Sequence, residues 1–479
     1  MTGGGKKLVL AVIDGLTPGV LERALDNGRL PVLRALSEAG TYARGTTTFP
    51  SVTPVCLTTI ATGAHPDVHG IPHLVWYHRE ERRLVEYGSS FAAMWAVGAR
   101  QCLRDTIVNM TQEHLFREAT TVFEAVDDAG RVPGAINFTC YRGRTPHRAR
   151  VPGIAARRAS EAVVLGPRRF FFYNLYESDR TDAPLAIRAR NAGSIDAYAG
   201  AVGRWLVTRD GFDFLVYYLP DYDYASHVAG PEGADAALAR ADDAIGDLLA
   251  AAGGLDEFLE RYAIVVCSDH GQTRVDGAAT LADAYADLRI FTGRRSGSPD
   301  ACDVAVAASN RYAMVYRLPG SRLDERTLAE RLDGRDGVDV VVWREEGAAV
   351  ARREREELRF APADGSFRLE GDPDVLEAAR YPNGVERAWR ALACPRAGDV
   401  LVSAADGCEF ADLGGRAHVG GGSHGSLVAG DSIIPLLAAG FEVSPFGPDP
   451  ATADLAPLAL RHLGIRPPSS MSRPAHAHA

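Results

Sequence analysis

The chain has 479 residues, 46% of them hydrophobic and 24% charged, with a formal net charge of −10. This balance is that of an ordinary globular protein and excludes disordered, collagen-like and disulfide-scaffold chains. The acidic charge argues against a nucleic acid polymer or an anionic membrane as a partner.

Four short apolar segments predict buried strands that run into polar turns: residues 8–13, 212–219, 263–267 and 433–439. Near-continuous apolar runs of this length fit strands covered on both faces, and we expect all four to be parallel. Apolar residues at helical spacing occur at 20–36, 238–248 and 455–463. Strands that alternate with helices predict an α/β fold with a mostly parallel central sheet between helices.

Residues 276–395 interrupt this alternation and predict a small inserted α+β cap. Within them, strand patterns at 312–317 and 338–343 flank a helical pattern near 326–333. We therefore expect a catalytic core formed by residues 1–275 and 396–479, with the cap beside it.

Cysteine and lysine usage narrows the protein class further. The seven cysteines are scattered without a CxxC pair, which is typical of reduced thiols and predicts a cytoplasmic protein. Lys6 and Lys7 are the only lysines and no GxxxxGK[ST] loop occurs, so P-loop NTPases and Schiff-base enzymes are excluded. The longest apolar runs are too short to cross a membrane, and we expect no membrane partner.

Metal-type ligands follow three of the predicted strands, and one more precedes the fourth. They are Asp14, Asp223, His227, Asp269, His270 and His424. Because ligands bind at the carboxyl ends of strands in open α/β sheets, we expect these side chains to converge. Three carboxylates and three imidazoles suit two divalent ions, with Zn²⁺ favoured and Mn²⁺ or Fe as alternatives.

A hydroxyl nucleophile is predicted near the start of a short helix. Thr53 precedes Pro54, and the small apolar run that follows ends at Gly63, a pattern that predicts Thr53 as N-cap and Pro54 as the first helical residue. A hydroxyl at this place faces a positive helix end, which favours phosphate. A simple cap role for Thr53 and a nucleophile at Ser51 are the alternatives that position alone leaves open.

The segment FPSVTPVCLTTIATGAHPDVHGI, with the later blocks VIDG, PDYDYASH, SDHG and SHG, resembles the type I phosphodiesterase/nucleotide pyrophosphatase family of the alkaline phosphatase superfamily. The resemblance implies an alkaline-phosphatase-like sandwich and places the nucleophile on Thr53. It also implies that Asp223, His227 and His424 hold one ion, and that Asp14, Thr53, Asp269 and His270 hold the other. The chain departs from the family pattern after HGI, where His73 lies near the place of a usual asparagine.

The resemblance implies a phosphodiesterase or nucleotide pyrophosphatase that forms a phosphothreonine on Thr53 and acts on a small phosphate ester or nucleotide-like molecule. A phosphomonoesterase or a phosphonate hydrolase of the same superfamily is the alternative. A serine esterase is a remote one, because Gly421–Gly425 matches GxSxG around Ser423. Arg142, Arg144, His147 and Arg148 either contact an anionic substrate or form a solvated surface.

Overall fold

The computed structural model describes residues 5–148, 163–173, 176–177 and 194–471. Its central sheet has eight strands within these ranges. In spatial order they are Gly40–Thr46, Ile433–Ala439, Tyr262–Cys267, Lys7–Ile13, Phe214–Leu219, Pro133–Ile136, Arg169–Phe172 and Tyr176–Glu177. All four strands predicted from the sequence are present.

Five neighbouring strands, from Tyr262–Cys267 across to Arg169–Phe172, run parallel. The expectation that 433–439 is also parallel is wrong, because Ile433–Ala439 pairs antiparallel with the strands on both of its sides. Its amino-terminal end therefore lies at the edge where the parallel strands have their carboxyl ends.

Helices cover both faces of this sheet. In the strand Lys7–Ile13, Val9 and Ala11 join one apolar cluster while Leu8 and Leu10 join the other, as the period of two in a strand requires. The helices on the first face are Pro18–Asp26, Pro31–Glu38, Ile195–Thr208, Asp235–Ala252 and Leu255–Arg261. Those on the second are Thr53–Thr62, Val122–Asp128 and Leu455–His462. The predicted α/β fold with a mostly parallel sheet between helices is confirmed.

A second sheet of eight strands is built mainly from the insertion. Its order is Ile290–Phe291, Val304–Ser309, Tyr312–Arg317, Val400–Ala404, Val338–Glu345, Ala348–Arg353, Glu356–Ala363 and Ser366–Gly371. Helix Glu325–Glu330 packs on one face and Gly384–Leu392 on the other. The sheet extends past the expected boundary at 395, because Val400–Ala404 pairs with strands on both of its sides.

The second sheet packs directly on the start of helix Thr53–Thr62 and on the segment that precedes it. Phe49, Val52 and Val55 share one apolar cluster with Tyr312 and Met314. The turn between the strands Val304–Ser309 and Tyr312–Arg317 is thereby held against the carboxyl edge of the central sheet.

The remaining elements are short. Paired strands are Val75–His78 with Arg83–Glu86, Thr145–Arg148 with Val163–Gly166, Thr273–Arg274 with Gly422–Ser423, and Gly277–Ala279 with Cys408–Phe410. Other helices are Pro66–His69, Phe91–Val97, Ala99–Arg104, the π-helix Asp105–His114, Asp221–Ala229 and Ala429–Ser432. Short 3₁₀ helices are Pro231–Gly233, Leu281–Tyr285, Arg294–Ser296, Pro299–Ala301, Pro373–Leu376, Thr452–Asp454 and Ser469–Met471. None of the helices in the described ranges has the length and apolarity that a membrane span needs.

Candidate active site

Three parallel strands deliver their ligand-type residues to one edge of the central sheet. Asp14 follows Lys7–Ile13, Asp269 and His270 follow Tyr262–Cys267, and Asp223 lies in the first turn of the helix after Phe214–Leu219. All four side chains are at most 5% exposed. Gly15 makes the turn after Asp14: its φ is +71°, and a Cβ there would lie 2.9 Å from Asp223 Oδ1, so only glycine fits.

His424 reaches the same edge from the opposite direction. The strand that follows it, Ile433–Ala439, is antiparallel, and the pairing of Gly422–Ser423 with Thr273–Arg274 brings the two histidine loops together. The imidazole rings of His270 and His424 stack with centroids 3.6 Å apart.

The three imidazoles share one hydrogen-bond arrangement. Nδ1 of His227, His270 and His424 donates to the backbone carbonyl of Gly422, Gly271 and Ser51, at 2.8, 3.0 and 2.8 Å respectively. In a neutral imidazole this leaves a lone pair on Nε2, and it is the usual way in which proteins orient a metal-ligating histidine.

The ligand atoms form two overlapping clusters, each with atoms within 4.8 Å of one another: Asp223 with His270 and His424, and Asp14 with Asp269 and His270. His227 Nε2 adds to the first cluster, 3.2 Å from Asp223 Oδ2. Among the described residues, no hydrogen-bond partner reaches the buried Oδ1 of Asp14 or Oδ2 of Asp269. Nε2 of His270 lies 3.3 and 3.4 Å from these two oxygens. Buried anionic oxygens without partners fit a site built for cations.

Burial and neighbouring charges shift the pKa values of the carboxyl groups at this edge. Burial raises the pKa of Asp14 well above its usual range, and Asp269 and Asp223 raise it further. Burial likewise raises the pKa of Asp269. For Asp223, burial acts in the same direction, but His227, His424 and His270 together outweigh it and lower the pKa. Burial, reinforced by His270, lowers the pKa of His424 well below 6.5, which leaves this ring neutral and able to ligate a metal.

Thr53 lies beside this arrangement, next to His270. It is the first residue of helix Thr53–Thr62. Val52 is the N-cap of this helix, and Gly63 is its C-cap, in the left-handed backbone conformation. The expectation that Thr53 is the N-cap is therefore wrong, and no side chain caps this helix start. The Thr53 hydroxyl instead lies 3.1 Å from Nε2 of His270.

The competing serines are engaged elsewhere. Ser51 is fully buried and donates to the carbonyl of Ser426 at 2.9 Å. Ser423 is also fully buried and donates to the Glu409 carboxylate at 3.0 Å. Ser423 sits on the two-residue strand Gly422–Ser423 rather than between a strand and a helix, so it does not form a nucleophile elbow.

Several side chains at this edge were not singled out from the sequence. Tyr218 donates to Asp14, Gln272 donates to Asp223 Oδ1 at 2.8 Å, and the Asn310 amide lies 3.1 Å from Nε2 of His424. His418 stacks on His227 with centroids 4.1 Å apart and hydrogen-bonds to buried Glu409. The only signal in the sequence was proximity: Gln272 follows SDHG, and His418 lies in the same loop as His424.

In the described part of the arginine-rich segment, Arg142, Arg144 and His147 make their side-chain contacts outside this edge. Arg142 is buried and donates to the carbonyls of Leu115, Phe116 and Ala119 and to Glu124. Arg144 pairs with Glu124 and Asp128, and His147 bonds to the carbonyl of Pro167. The idea that Arg142 contacts a substrate is therefore wrong: its guanidinium holds loops together.

His73, near the place of the family's usual asparagine, lies in the protein interior. Its side chain is fully buried and packs edge-on against Tyr312 with ring centroids 4.8 Å apart.

The sequence profile described as type I phosphodiesterase/nucleotide pyrophosphatase matches residues 8–427. The chain belongs to this family. The resemblance stated from the motifs is thus confirmed, and with it the expected enzyme class of phosphoric ester hydrolase.

Solved structures show the same fold at low sequence identity. Phosphonoacetate hydrolase from Sinorhizobium meliloti 1021, in complex with phosphonoformate, is 18% identical, with 96% of each chain covered and a TM-score of 0.60. An inactive form of murine ectonucleotide pyrophosphatase/phosphodiesterase 5 in complex with AMP is 13% identical, with 97% of this chain and 96% of that chain covered and a TM-score of 0.57. The human protein is 14% identical, with coverages of 96% and 95% and a TM-score of 0.57. No curated protein matches the sequence.

Proposed function

We propose that this chain is a metal-dependent hydrolase of small phosphate esters, most specifically a phosphodiesterase or nucleotide pyrophosphatase that forms a phosphothreonine on Thr53. The observation that carries the proposal is the position of the Thr53 hydroxyl, 3.1 Å from His270 Nε2, beside two clusters of buried ligand atoms. Membership of the family supports the reaction class. The expected cytoplasmic location remains part of this proposal.

The donor set fits two divalent ions. We assign Asp223, His227 and His424 to one ion, and Asp14, Asp269, His270 and Thr53 to the other. Mixed oxygen and nitrogen donors favour Zn²⁺, with Mn²⁺ or Fe as alternatives. When bound, such ions lower the pKa of a coordinated hydroxyl and offset the charge of a phosphate group.

The residues of the chain then have separable roles. The Thr53 hydroxyl loses its proton to solvent, and its oxygen forms a bond to phosphorus while the bond to the ester oxygen of the leaving group breaks on the opposite side and that oxygen takes up a proton. Water later attacks phosphorus, breaks its bond to the Thr53 oxygen and returns a proton to that oxygen. The helix that begins at Thr53 places its positive end toward the phosphate. Tyr218 and Gln272 hold the carboxylates of Asp14 and Asp223 in place.

Charge compensation at this site depends on the ions. Among the described residues, neither an arginine nor a lysine side chain forms an ion pair with Asp14, Asp223 or Asp269. A site that relies on ions for binding phosphorus oxygens suits a diester, which carries one negative charge at the reacting group.

A substrate panel tests the proposal. Purified zinc-loaded enzyme and a chelated, metal-free sample are assayed with nitrophenyl phosphodiester, phosphomonoester, phosphonate, sulfate and carboxylic ester substrates, with the Thr53→Ala variant as control. We expect the highest kcat/KM for the diester. A clear preference for the monoester or phosphonate would favour the phosphomonoesterase or phosphonate hydrolase alternative, and metal-independent carboxylic ester hydrolysis would favour the serine esterase.

A further inference from the structure

Asn310 lies in the turn between the strands Val304–Ser309 and Tyr312–Arg317 of the second sheet. We propose that its side-chain amide donates a hydrogen bond to a phosphate oxygen of the bound substrate, which makes it a substrate-positioning residue supplied by the insertion. The inference rests on the proposed function, because it assumes that the histidine cluster binds metal ions and a phosphate group.

The orientation of the amide follows from its two neighbours. His424 donates through Nδ1 to the carbonyl of Ser51, so its Nε2 can only accept, and the Asn310 atom 3.1 Å away is the donor Nδ2. On the other side, the Ser309 hydroxyl donates to Asn310 Oδ1 at 2.9 Å. The NH₂ group is therefore directed at the ligand cluster and cannot turn away without losing both bonds.

Metal binding changes what this amide faces. The lone pair on Nε2 of His424 is the one that ligates, so a bound ion removes the acceptor of Asn310 Nδ2. Asn310 is 5% exposed, and a buried amide without an acceptor is costly. An oxygen of a phosphate group bound beside that ion is an acceptor of the right kind in the right place.

Hydrogen bonds hold the turn that contains Asn310 in one position, which fixes the direction of its side-chain amide. The backbone N–H of Arg311 donates to the carbonyl of His424 at 2.9 Å, and Asn310 O accepts from Phe410 N at 2.8 Å. The fully buried Arg311 guanidinium donates to Asp431 at 2.7 Å and to the carbonyl of Ala405 at 2.9 Å. These contacts fix the turn to the loop of His424 itself.

The backbone of Asn310 decides which variants are informative. Its φ is +55°, a conformation that asparagine and glycine adopt readily and alanine does not. Asn310→Gly therefore removes the amide without straining the turn, and Asn310→Asp keeps the size but replaces the donor with an anionic acceptor. The matched control is Asn383→Gly, at an exposed asparagine with φ +51° that makes no side-chain cap.

The experiment measures the binding of inorganic phosphate to zinc-loaded proteins by calorimetry, with zinc content from elemental analysis. A hydrogen bond to a charged group predicts a Kd that rises by about 10- to 100-fold in Asn310→Gly. We expect a larger rise in Asn310→Asp, and no change in Asn383→Gly or in the zinc content of any variant. If one Asn310 variant does not fold, the phosphate Kd of the other variant still tests the inference.

Three results would overturn the inference: an unchanged phosphate Kd in the Asn310 variants, loss of zinc from them, or failure of the zinc-loaded wild type to bind phosphate. Loss of zinc would mean that Asn310 only supports His424. The test of Asn310 and the test of the proposed function can give different results. Wild-type enzyme that binds phosphate but hydrolyses no phosphate ester would refute the function while the effect on Kd still decides the role of Asn310.

Discussion

The hydroxyl of Thr53 lies 3.1 Å from Nε2 of His270, although 217 positions separate the two residues in the chain. Thr53 begins a helix that covers one face of the central sheet, and His270 follows a strand of that sheet. The contact joins the predicted nucleophile to the predicted metal ligands, and it is the relationship that the Thr53 and metal-removal experiments test.

Replacement of the nucleophile should abolish turnover without unfolding the protein. The Thr53 hydroxyl does not cap its helix, so Thr53→Ala should leave the melting temperature nearly unchanged. It should lower kcat by roughly 10³-fold or more, because the reacting oxygen is removed. Thr53→Ser keeps the oxygen and should retain activity.

The two other serines supply the controls for this experiment. Ser51→Ala and Ser423→Ala should keep measurable turnover, since both hydroxyls are buried and bonded elsewhere. Mass spectrometry after trapping with a slow substrate should find phosphate on the peptide that contains Thr53. Phosphate on Ser51, or near wild-type turnover in Thr53→Ala, would contradict the assignment.

Removal of metal should inactivate the enzyme. Chelation should abolish hydrolysis, and added Zn²⁺ or Mn²⁺ should restore it. Asp14→Asn and Asp269→Asn should lower the metal content measured by elemental analysis, whereas Asp26→Asn, at an exposed helix end, should not. Full activity in a chelated protein that is free of metal would refute the two-ion assignment.

His73 should make the folded state sensitive to acid. Burial lowers its pKa to about 3 from an ordinary value of 6.5. Between these values the unfolded chain binds the proton more readily than the folded protein, so the stabilisation is complete above 6.5 and is lost as the pH falls toward 3. His73→Phe removes this titration and should flatten the acid-side loss of stability by up to about 1.4 kcal/mol per pH unit.

Urea unfolding of the metal-free forms of both proteins, measured from neutral pH to about pH 4, checks this slope without a contribution from metal release. Phenylalanine keeps an aromatic ring against Tyr312. The variant should therefore also retain turnover when it is loaded with metal. An unchanged pH slope would show that His73 does not titrate on unfolding.

Arg142 should matter for stability and not for substrate binding. Arg142→Met leaves three backbone carbonyls without their donor and should lower the free energy of unfolding by about 3 kcal/mol. Arg144→Met, at a side chain 49% exposed, should cost about 1 kcal/mol or less. Urea unfolding and KM of the folded variants check this, and a raised KM in Arg142→Met with unchanged stability would restore the substrate-contact interpretation.

Much of the candidate site was predictable from the sequence because of one physical rule. The carboxyl ends of parallel strands meet at one edge, so Asp14, Asp223, Asp269 and His270 were expected at the same edge of the sheet. They converge because their three strands are also immediate neighbours in it. Apolar run length predicted those strands, and the Pro and Gly that bound the helix of Thr53 predicted its position to within one residue.

The tertiary structure alone decided the remainder. The direction of Ile433–Ala439, which brings His424 to the site, depends on its pairing with two strands that are distant in the chain, and an apolar run has no direction. Val400–Ala404 joins the second sheet through pairing with other distant strands. Asn310 meets His424 only because the second sheet packs on the segment before Thr53. Local sequence patterns report the periodicity of a segment, whereas such contacts depend on packing between segments that lie hundreds of residues apart or on different sheets.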